Sequence, residues 1–349
     1  MGKVKNSVKN LLKKGENYVY HKEKNIEAYK IQKTFESVTG KLNSKNKKLC
    51  KEYALDIFGD KKYAPWLMAY CAYSHQFKEG WIPDNYYGEY VVPALKGEYG
   101  AICNRSLIIN KLLNDKNSTD LGYYINSLFL STNNEVLNVE SFKKLLFENN
   151  KKVVFKTENS FQGKGIYFFD KKTFDVNLIK QLGNGGFQSY IKQHPFFNQF
   201  NDSSVANIRL TSVCKDDGEI EVRAGYFKYG GKNETHVKSK SAIYISVNVS
   251  TGQLHSKASL PDWTPINQLP GNDIKFAGME LPCFNYCISE IKRMHGLIPY
   301  VRCIGWDLIL DEEENIRIIE LNGLHNTISL HEMEQGPCFI GLQWENLHK

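Results

Sequence analysis

The sequence of 349 residues lacks the features of several protein classes. It has no apolar run of about 18 residues, the length that a membrane-spanning helix needs. Its lysine-rich start has neither the apolar stretch nor the small-residue cleavage site of a signal peptide. We therefore expect a cytoplasmic protein, with the inner face of the membrane as the alternative location. It also lacks internal repeats and low-complexity tracts, which argues against solenoid and disordered architectures.

Paired cysteine motifs are absent as well. The eight cysteines are scattered without C-x-x-C spacing, and no Cys/His cluster has the spacing of zinc ligands. We expect buried free thiols rather than a zinc site or a disulfide framework.

The composition is that of an ordinary globular protein. Hydrophobic residues make up 42% and charged residues 24% of the chain, and the length suits two or three packed subdomains. The net charge of +7 is concentrated in the first fifty residues and does not require a nucleic-acid partner. Two interpretations of this basic start stay open. Its apolar residues at helical spacing suit either a helix packed on the protein body or a peripheral contact with an acidic membrane: Val4, Val8, Leu11 and Leu12.

The distribution of residue types predicts a helical start followed by an α+β region. Residues 3–60 favour helix, and the aromatic-rich stretch 61–100 suits short helices whose aromatic side chains pack in a core. Helices are also predicted at 105–113, 141–147 and 284–295. Strands are predicted, mostly in antiparallel sheets, at 153–155, 166–169, 187–193, 207–214, 219–229, 242–248, 304–310 and 316–322.

A lysine and a glycine-containing loop form the first candidate site. The segment from Lys156 through Ser160, Gln162 and Gly163 to Gly165 joins two predicted strands of a hairpin. Glycines allow backbone N–H groups to approach phosphate oxygens, and Lys156 supplies a positive charge beside them. The loop leads into a strand, whereas a Walker loop leads into a helix. An ordinary hairpin turn is the alternative interpretation.

A carboxylate pair near the C-terminus forms the second candidate site. A symmetric hairpin around the acidic turn 311–315 places Asp307 opposite Glu320, and Asn322 shares the face of Glu320. Two facing carboxylates in an otherwise apolar hairpin are destabilising unless a cation lies between them. Oxygen ligands of this kind suit Mg²⁺ shared with phosphate groups.

Two arginines on adjacent predicted strands complete the set of candidate catalytic residues. Arg209 and Arg223 lie on strands joined by an Asp-Asp-Gly turn. A guanidinium that points into a cleft can neutralise charge on a phosphoryl group in transfer or bind a carboxylate with two hydrogen bonds.

The order of these motifs resembles the ATP-grasp superfamily, and most closely its sugar-transfer-associated family from surface polysaccharide and capsule biosynthesis. The resemblance covers roughly residues 100–330 and implies two α+β subdomains that clamp ATP between antiparallel sheets. It implies that Lys156 and the 160–165 loop contact the ATP phosphates and that Arg209 stabilises the transferred phosphate. By the same resemblance, Asp307, Glu320 and Asn322 bind Mg²⁺. The residues that it places along the adenine slot are Gln188, Tyr190 and Ile191. Arg105 and Lys111 both compete for the place of an earlier family lysine.

The resemblance also implies domain boundaries and a reaction. We predict a helical region at 1–100 and an ATP-grasp domain at 101–349, with a nucleotide-gripping subdomain at 115–190 and a catalytic subdomain at 191–335. The implied activity joins a carboxylate to an amine through an acylphosphate, with an amino acid and a uronic acid or amino sugar as substrates. A sugar or polyol kinase and a non-catalytic nucleotide-binding protein are the alternatives. A basic stretch after Lys228 either holds an anionic acceptor or is a solvated loop.

Overall fold

The computed structural model describes residues 2–158, 165–201, 204–231, 240–269 and 274–349, with side chains from Gly15 onward except Ser106 and Leu107. Contacts divide the chain into two compact units. Unit 1 comprises 1–97, 262–267 and 325–349, and unit 2 comprises 98–261 and 268–324. The subdomain boundaries predicted from the sequence stay predictions.

Unit 1 is helical. A π-helical turn at Tyr87–Val91 separates its two shortest helices, and 3₁₀ turns lie at Lys61–Tyr63 and Trp344–Asn346. It also contains the two-residue strand β11, Pro265–Ile266. Its helices are α1 (Gly2–Thr39), α2 (Ser44–Phe58), α3 (Ala64–Ser74), α4 (Asp84–Tyr86), α5 (Val92–Leu95) and α11 (Ser329–Glu334). Among the described residues, no helix combines the length and the hydrophobicity needed to cross a bilayer.

Local sequence signals account for the ends of these helices. Asn43 caps α2 by accepting a hydrogen bond from the backbone N–H of Asn46 at 2.8 Å, and Gly59 ends it with a φ of 76° that a residue with a Cβ rarely adopts. The predicted packing of the aromatic residues is confirmed, because six of them are at most 1% exposed: Tyr63, Trp66, Tyr70, Trp81, Tyr86 and Tyr87. These rings form the core of unit 1.

Unit 2 is built around two sheets. The first has the strand order β3-β2-β1-β6-β4-β5, and the second contains β10-β9-β8-β7-β12-β13 in that order. All the pairings recorded within these sheets are antiparallel, as predicted. The first sheet contains β1 (Asp120–Ile125), β2 (Leu128–Ser131), β3 (Val136–Leu137), β4 (Lys152–Thr157), β5 (Ile166–Asp170) and β6 (Gly185–Ser189). The second contains β7 (Asn207–Cys214), β8 (Ile220–Tyr229), β9 (Ile243–Val247), β10 (Leu254–Ser259), β12 (Cys303–Leu310) and β13 (Ile316–Asn322).

Helices cover one face of each sheet in unit 2. The first sheet shares a phenylalanine-rich core with α7 (Val139–Phe147) and α8 (Val176–Leu182), and Phe142, Phe155 and Phe187 are fully buried in it. α10 (Phe284–His295) packs on β7 and β8 of the second sheet. The remaining helices are α6 (Ser106–Leu113), α9 (Pro195–Asn198) and a 3₁₀ helix at Gly97–Asn104. The opposite face of the second sheet carries the charged candidate residues.

The eight cysteines are all free thiols. Six of them are buried, and Cys283 and Cys338 are partly exposed. No disulfide therefore contributes to the stability of either unit.

A buried acid in unit 1 gives the stability a pH dependence. Glu332 is fully buried and accepts hydrogen bonds from the backbone N–H groups of Ile82 at 2.7 Å and Cys338 at 2.8 Å. Burial raises the pKa of Glu332 from 4.5 to about 8, against the opposing effect of the two N–H groups. Because the folded-state pKa is the higher one, the stabilisation is complete below pH 4.5 and is lost as the pH rises through 8.

We expect the free energy of unfolding to fall by up to ~1.4 kcal/mol per pH unit between these limits on account of this group. Glu332→Gln should flatten this part of the profile when unfolding by urea is measured from pH 5 to pH 9. Glu334→Gln, two residues along the same helix, is the matched control. A wild-type free energy of unfolding that rises with pH over this interval would contradict the assignment.

Candidate functional site

An open cleft, about 720 Å³ with the solvent at its mouth included, lies within unit 2, where the first sheet faces strand β13 of the second. Its walls come from the end of β4, from β6 and β13, and from α6 with the 3₁₀ helix before it. The lining residues are Cys103, Asn104, Ile109, Asn110, Lys156, Thr157, Glu158, Gly186, Gln188, Ile318, Ile319, Glu320 and Leu321. Three residues predicted for separate roles therefore share one cavity: Lys156, Gln188 and Glu320.

Lys156 lies where β4 ends at the cleft. Its backbone neighbour on β6 is Gly186, so no side chain stands between the ammonium and the cavity on that strand. The Nζ atom donates a hydrogen bond to the carbonyl oxygen of Ile319 on β13 at 2.8 Å. This contact fixes the positive charge between the two sheets, at a position that suits a bound phosphate.

The predicted glycine loop is mostly outside the described residues. Ser160, Gln162 and Gly163 lie in the segment 159–164, which the structure does not describe. Gly165 is described and has a φ of 78°, and its carbonyl accepts a hydrogen bond from the N–H of Thr157 at 3.0 Å. The strands on either side pair in antiparallel register, with Lys156 opposite Ile166, so the predicted hairpin is confirmed.

The three residues predicted for the adenine slot are in different environments. Gln188 lines the cleft from β6. Tyr190 is 45% exposed and its ring lies beside Lys152, with the Nζ atom 5.4 Å from the ring centroid, outside the cleft lining. Ile191 is half-buried and is also not a lining residue. The side chain of Gln188 is thus the one of the three that faces the cavity.

The predicted carboxylate register is confirmed. Asp307 on β12 lies opposite Glu320 on β13, and Gly305 lies opposite Asn322. The Nδ2 atom of Asn322 is 3.4 Å from the carbonyl oxygen of Gly305. Glu320 lines the cleft and its carboxylate has no hydrogen bond or ion pair with any described residue, whereas Asp307 is 1% exposed.

Protein cations compensate the charge of Asp307. Arg209, opposite it on β7, binds the carboxylate with two hydrogen bonds, Nε to Oδ1 at 2.5 Å and Nη2 to Oδ2 at 2.9 Å. The Nζ atom of Lys228 on β8 is 3.2 Å from Oδ2. Burial alone would raise the pKa of Asp307, but the charges and hydrogen bonds of these two residues hold it well below its usual range. Asp307 therefore stays ionised, and its compensating cation comes from the protein itself as well as from any bound metal.

Arg223 does not join this group. It is the extra residue at a bulge where β8 pairs with β7, and its Nε atom forms an ion pair with Glu221 at 2.7 Å. It does not line the cleft. Its predicted catalytic role stays untested, but the structure gives it no contact with Arg209 or Asp307.

The donor set fits a magnesium ion shared with phosphate groups. Glu320 offers a carboxylate without a hydrogen bond or ion pair among the described residues, and Asp307 and Asn322 lie on the same sheet face beside it. Mg²⁺ prefers such oxygen ligands and completes its shell with water and phosphate. Within the described part of the chain, no three His, Cys, Asp or Glu side chains converge, so a metal held by the protein alone is not indicated there.

The comparison with protein families identifies the family of this chain. A family model described as "Sugar-transfer associated ATP-grasp" matches residues 93–344. This chain belongs to that family. The recognition and the fold class predicted from the sequence are both confirmed. No curated protein matches the chain in sequence.

Several solved structures resemble this ATP-grasp chain. The biotin carboxylase domain of 2-oxoglutarate carboxylase from Hydrogenobacter thermophilus, in complex with MgADP, ADP and bicarbonate, is 14% identical with a TM-score of 0.42. Biotin carboxylase from Campylobacter jejuni is 11% identical with a TM-score of 0.43, and the ATP-grasp ligase PsnB, complexed with a minimal precursor, is 11% identical with a TM-score of 0.41. The alignments cover 70%, 70% and 73% of this chain and 44%, 45% and 63% of theirs. The chain thus spans about half the length of these proteins.

The two candidates for the earlier family lysine are in different places. Arg105 lies next to Asn104 of the cleft lining, and its Nη1 atom is 3.1 Å from Oε2 of Glu158, another lining residue. Lys111 is exposed on α6 and does not line the cavity. Arg105 thus lies nearer the cleft than Lys111, and which of the two takes this place in the ATP-grasp chain stays a prediction.

A hydrogen-bonded group at the cleft lies outside the motifs found in the sequence. Asp120, at the start of β1, accepts hydrogen bonds from Asn110, Tyr123 and Gln188. The strand itself could have been found, because apolar residues flank an Asn-Ser pair that suits a two-residue hairpin turn. Both residues of this turn have positive φ in the structure. Asp120 itself has no motif around it, so its role depends on the pairing of β1 with β6.

Proposed function

We propose that this chain is an ATP- and Mg²⁺-dependent carboxylate–amine ligase. The observation that carries the proposal is the meeting of Lys156, Gln188 and Glu320 at one cleft between the sheets. In this cleft Gln188 offers a polar group for the base, Lys156 a fixed positive charge for the triphosphate and Glu320 a carboxylate for the metal. Membership of a sugar-transfer associated ATP-grasp family supports the use of ATP and a sugar-linked substrate.

The proposed reaction has two steps. A substrate carboxylate oxygen attacks the γ-phosphorus of ATP, the bond to the β,γ-bridging oxygen breaks, and ADP and an acylphosphate form. An amine then attacks the acyl carbon, phosphate leaves, and the amine loses a proton as the amide forms. We propose an amino acid and a uronic acid or amino sugar of a surface glycan as the two substrates.

The chain's own residues contribute mainly charge and position. Lys156 neutralises phosphate charge and keeps the triphosphate against β13. Arg209 lies one strand beyond Asp307 on the face that carries Glu320, where its guanidinium supplies positive charge to the transferred group. A magnesium ion held by Glu320, Asp307 and Asn322 would neutralise charge on the phosphate oxygens.

Product analysis tests the proposal. ADP release is measured with ATP and Mg²⁺ in the presence of uronic acids or nucleotide sugars and amino acids, singly and in pairs, and the products are identified by mass spectrometry. A ligase releases ADP only when carboxylate and amine are both present, and the product mass is that of the two substrates less one water. ADP release with one hydroxyl substrate and a product heavier by a phosphate would instead identify a kinase.

Lys156 provides a direct test of the phosphate site. Lys156→Met is expected to raise the Kd for MgATP ~10- to 100-fold, because a charge-assisted hydrogen bond is worth roughly 1.5–3 kcal/mol. Calorimetric titration measures the change. Lys152→Met is the matched control on the same strand, since its ammonium lies over the ring of Phe168 and outside the cleft lining. Equal affinities for the two variants would contradict the assignment of Lys156.

We also propose that α1 docks on anionic lipid. Five exposed side chains at helical spacing form one face of aromatic, aliphatic and basic groups: Tyr18, Lys22, Ile26, Tyr29 and Lys33. Tyr18 is 70%, Ile26 46% and Tyr29 50% exposed. Co-sedimentation with vesicles should detect binding that depends on anionic lipid and is weakened by Tyr18→Ser/Tyr29→Ser. Binding that is independent of lipid charge, or no binding, would contradict this docking mode.

A further inference from the structure

A carboxylate faces the cleft beside the lysine proposed for the phosphates. Glu158 lines the cleft two residues after Lys156, and its N–H donates to the carbonyl oxygen of Asn184 at 2.9 Å, so the pairing of β4 with β6 continues to this residue. Because side chains alternate along a strand, Lys156 and Glu158 share one face and lie ~7 Å apart along it. The Glu158 side chain is 12% exposed. A negative charge thus lies next to the position proposed for the triphosphate.

This carboxylate opposes a bound chain of phosphates. The cleft lining contains one basic residue, Lys156, and two acidic ones, Glu158 and Glu320. The charge of Glu320 has a use in the proposed function, as a ligand of the metal, whereas that of Glu158 has none. Like charges repel each other, and they do so more strongly in a partly buried cleft than in water because the effective dielectric constant is lower there. Glu158 is therefore expected to weaken the binding of a nucleotide.

One arginine compensates Glu158 in the structure. The Nη1 atom of Arg105 is 3.1 Å from Oε2 of Glu158, and the arginine side chain is 56% exposed and has no other hydrogen bond or ion pair with a described residue. An exposed pair of this kind contributes little to stability, so the guanidinium can change its partner at low cost. A phosphate chain carries more negative charge than one carboxylate and suits a guanidinium with two parallel hydrogen bonds. Glu158 and a nucleotide therefore compete for the same cation.

We propose that Glu158 is a competing anion that gives up Arg105 to the nucleotide phosphates and takes it back as ADP leaves. This inference rests on the proposed use of ATP and adds a residue that acts against the bound nucleotide. Binding breaks the ion pair and leaves the Glu158 carboxylate facing the phosphates, so both effects weaken affinity and promote release. Removing this carboxylate should therefore tighten nucleotide binding.

The test is a double-variant cycle on the affinity for MgATP. Calorimetric titration gives the dissociation constant for the wild type, Glu158→Gln, Arg105→Met and the double variant. Glu158→Gln should bind ~10-fold more tightly than the wild type, because the pair no longer has to break and the repulsion is gone. In the Arg105→Met background only the repulsion is removed, so the same substitution should gain ~3-fold.

The cycle separates an exchange of partners from a fixed ion pair. If Arg105 stayed on Glu158 in the complex, removing the arginine would expose the carboxylate to the phosphates. The gain from Glu158→Gln would then be larger in the Arg105→Met background than in the wild type. Damage to the fold weakens binding, so it does not imitate the tighter binding that the exchange predicts.

The release of ADP provides a second measurement. Stopped-flow fluorescence of a labelled ADP, displaced by excess MgADP, gives the dissociation rate, which should be several-fold lower in Glu158→Gln because affinity changes at one site appear mainly in this rate. Glu148→Gln is the matched control. Glu148 is exposed at the end of α7 and does not line the cleft, so its charge is screened from the phosphates and both constants should stay at the wild-type values.

Each outcome decides a separate point. A wild type that binds MgATP, with equal or weaker binding by Glu158→Gln, overturns the inference and leaves the proposed function intact. A larger gain in the Arg105→Met background than in the wild type also overturns it. A wild type that binds no nucleotide contradicts the proposed function itself.

Discussion

Arg209→Met is expected to destabilise the fold by ~3 kcal/mol. Arg209 and Asp307 are 7% and 1% exposed, so removing the guanidinium leaves a buried carboxylate with Lys228 as its remaining cationic contact among the described residues. Breaking a buried pair from one side typically costs 3–5 kcal/mol, and the contact with Lys228 keeps the expected value at the lower end of this range. Urea unfolding monitored by circular dichroism measures the change.

Two further variants make this result specific. Arg293→Met removes an arginine from an exposed pair with Glu290 on α10 and should cost less than about 1 kcal/mol. The double variant Arg209→Met/Asp307→Leu removes both charges and should recover at least half of the loss, because the buried carboxylate that lost its arginine is removed as well. A single variant as stable as the wild type would show that the pair does not form.

Glu320→Gln is expected to lower the ATP-dependent activity ~10²- to 10³-fold and to leave the fold intact. A metal ion at transferring phosphate contributes several kcal/mol of charge stabilisation, and a neutral amide is a poor ligand for it. Glu320 has no hydrogen bond or ion pair with a described residue, and it lies opposite Asp307, so removing its charge should leave the melting temperature unchanged or raise it slightly.

The matched control lies in the turn of the same hairpin. Glu312 is exposed and forms a surface pair with Lys192, so Glu312→Gln should change neither activity nor stability measurably. Activity is measured as ADP release at saturating ATP over a range of Mg²⁺ concentrations. If the Glu320→Gln enzyme has wild-type turnover at low Mg²⁺, Glu320 is not a ligand of the metal.

The sequence predicted the second sheet better than the first. Strands β7 and β13 have the bounds predicted, because their β-branched and apolar residues end at clear turn residues. Helix α10 also has the predicted bounds, and its buried residues Phe284, Cys287, Ile291 and Met294 follow helical spacing. The register of Asp307 with Glu320 also follows from side-chain alternation around a short acidic turn. Strands β1 to β3 and β10 were missed, because β2 and β3 have only four and two residues, and Gly122 in β1 and Lys257 in β10 interrupt the apolar pattern.

The site was predictable in its residue types and less so in its contacts. Lys156, Gln188 and Glu320 come from motifs with recognisable chemistry, and the structure brings them to one cleft. The facing carboxylates alone suggested a metal, whereas Arg209 and Lys228 also compensate Asp307 from two neighbouring strands. The order of strands in a sheet cannot be read from the local pattern of β7 or β8. The compensation of Asp307 by these residues could therefore not be predicted from the sequence.

The most direct test of the account is a crystal structure of this chain with Mg²⁺ and a non-hydrolysable ATP analogue. We predict that the triphosphate contacts Lys156, that the base lies beside Gln188, and that a magnesium ion joins Glu320 to the phosphates. A nucleotide bound elsewhere, or phosphates that contact neither Lys156 nor a metal at Glu320, would contradict the account.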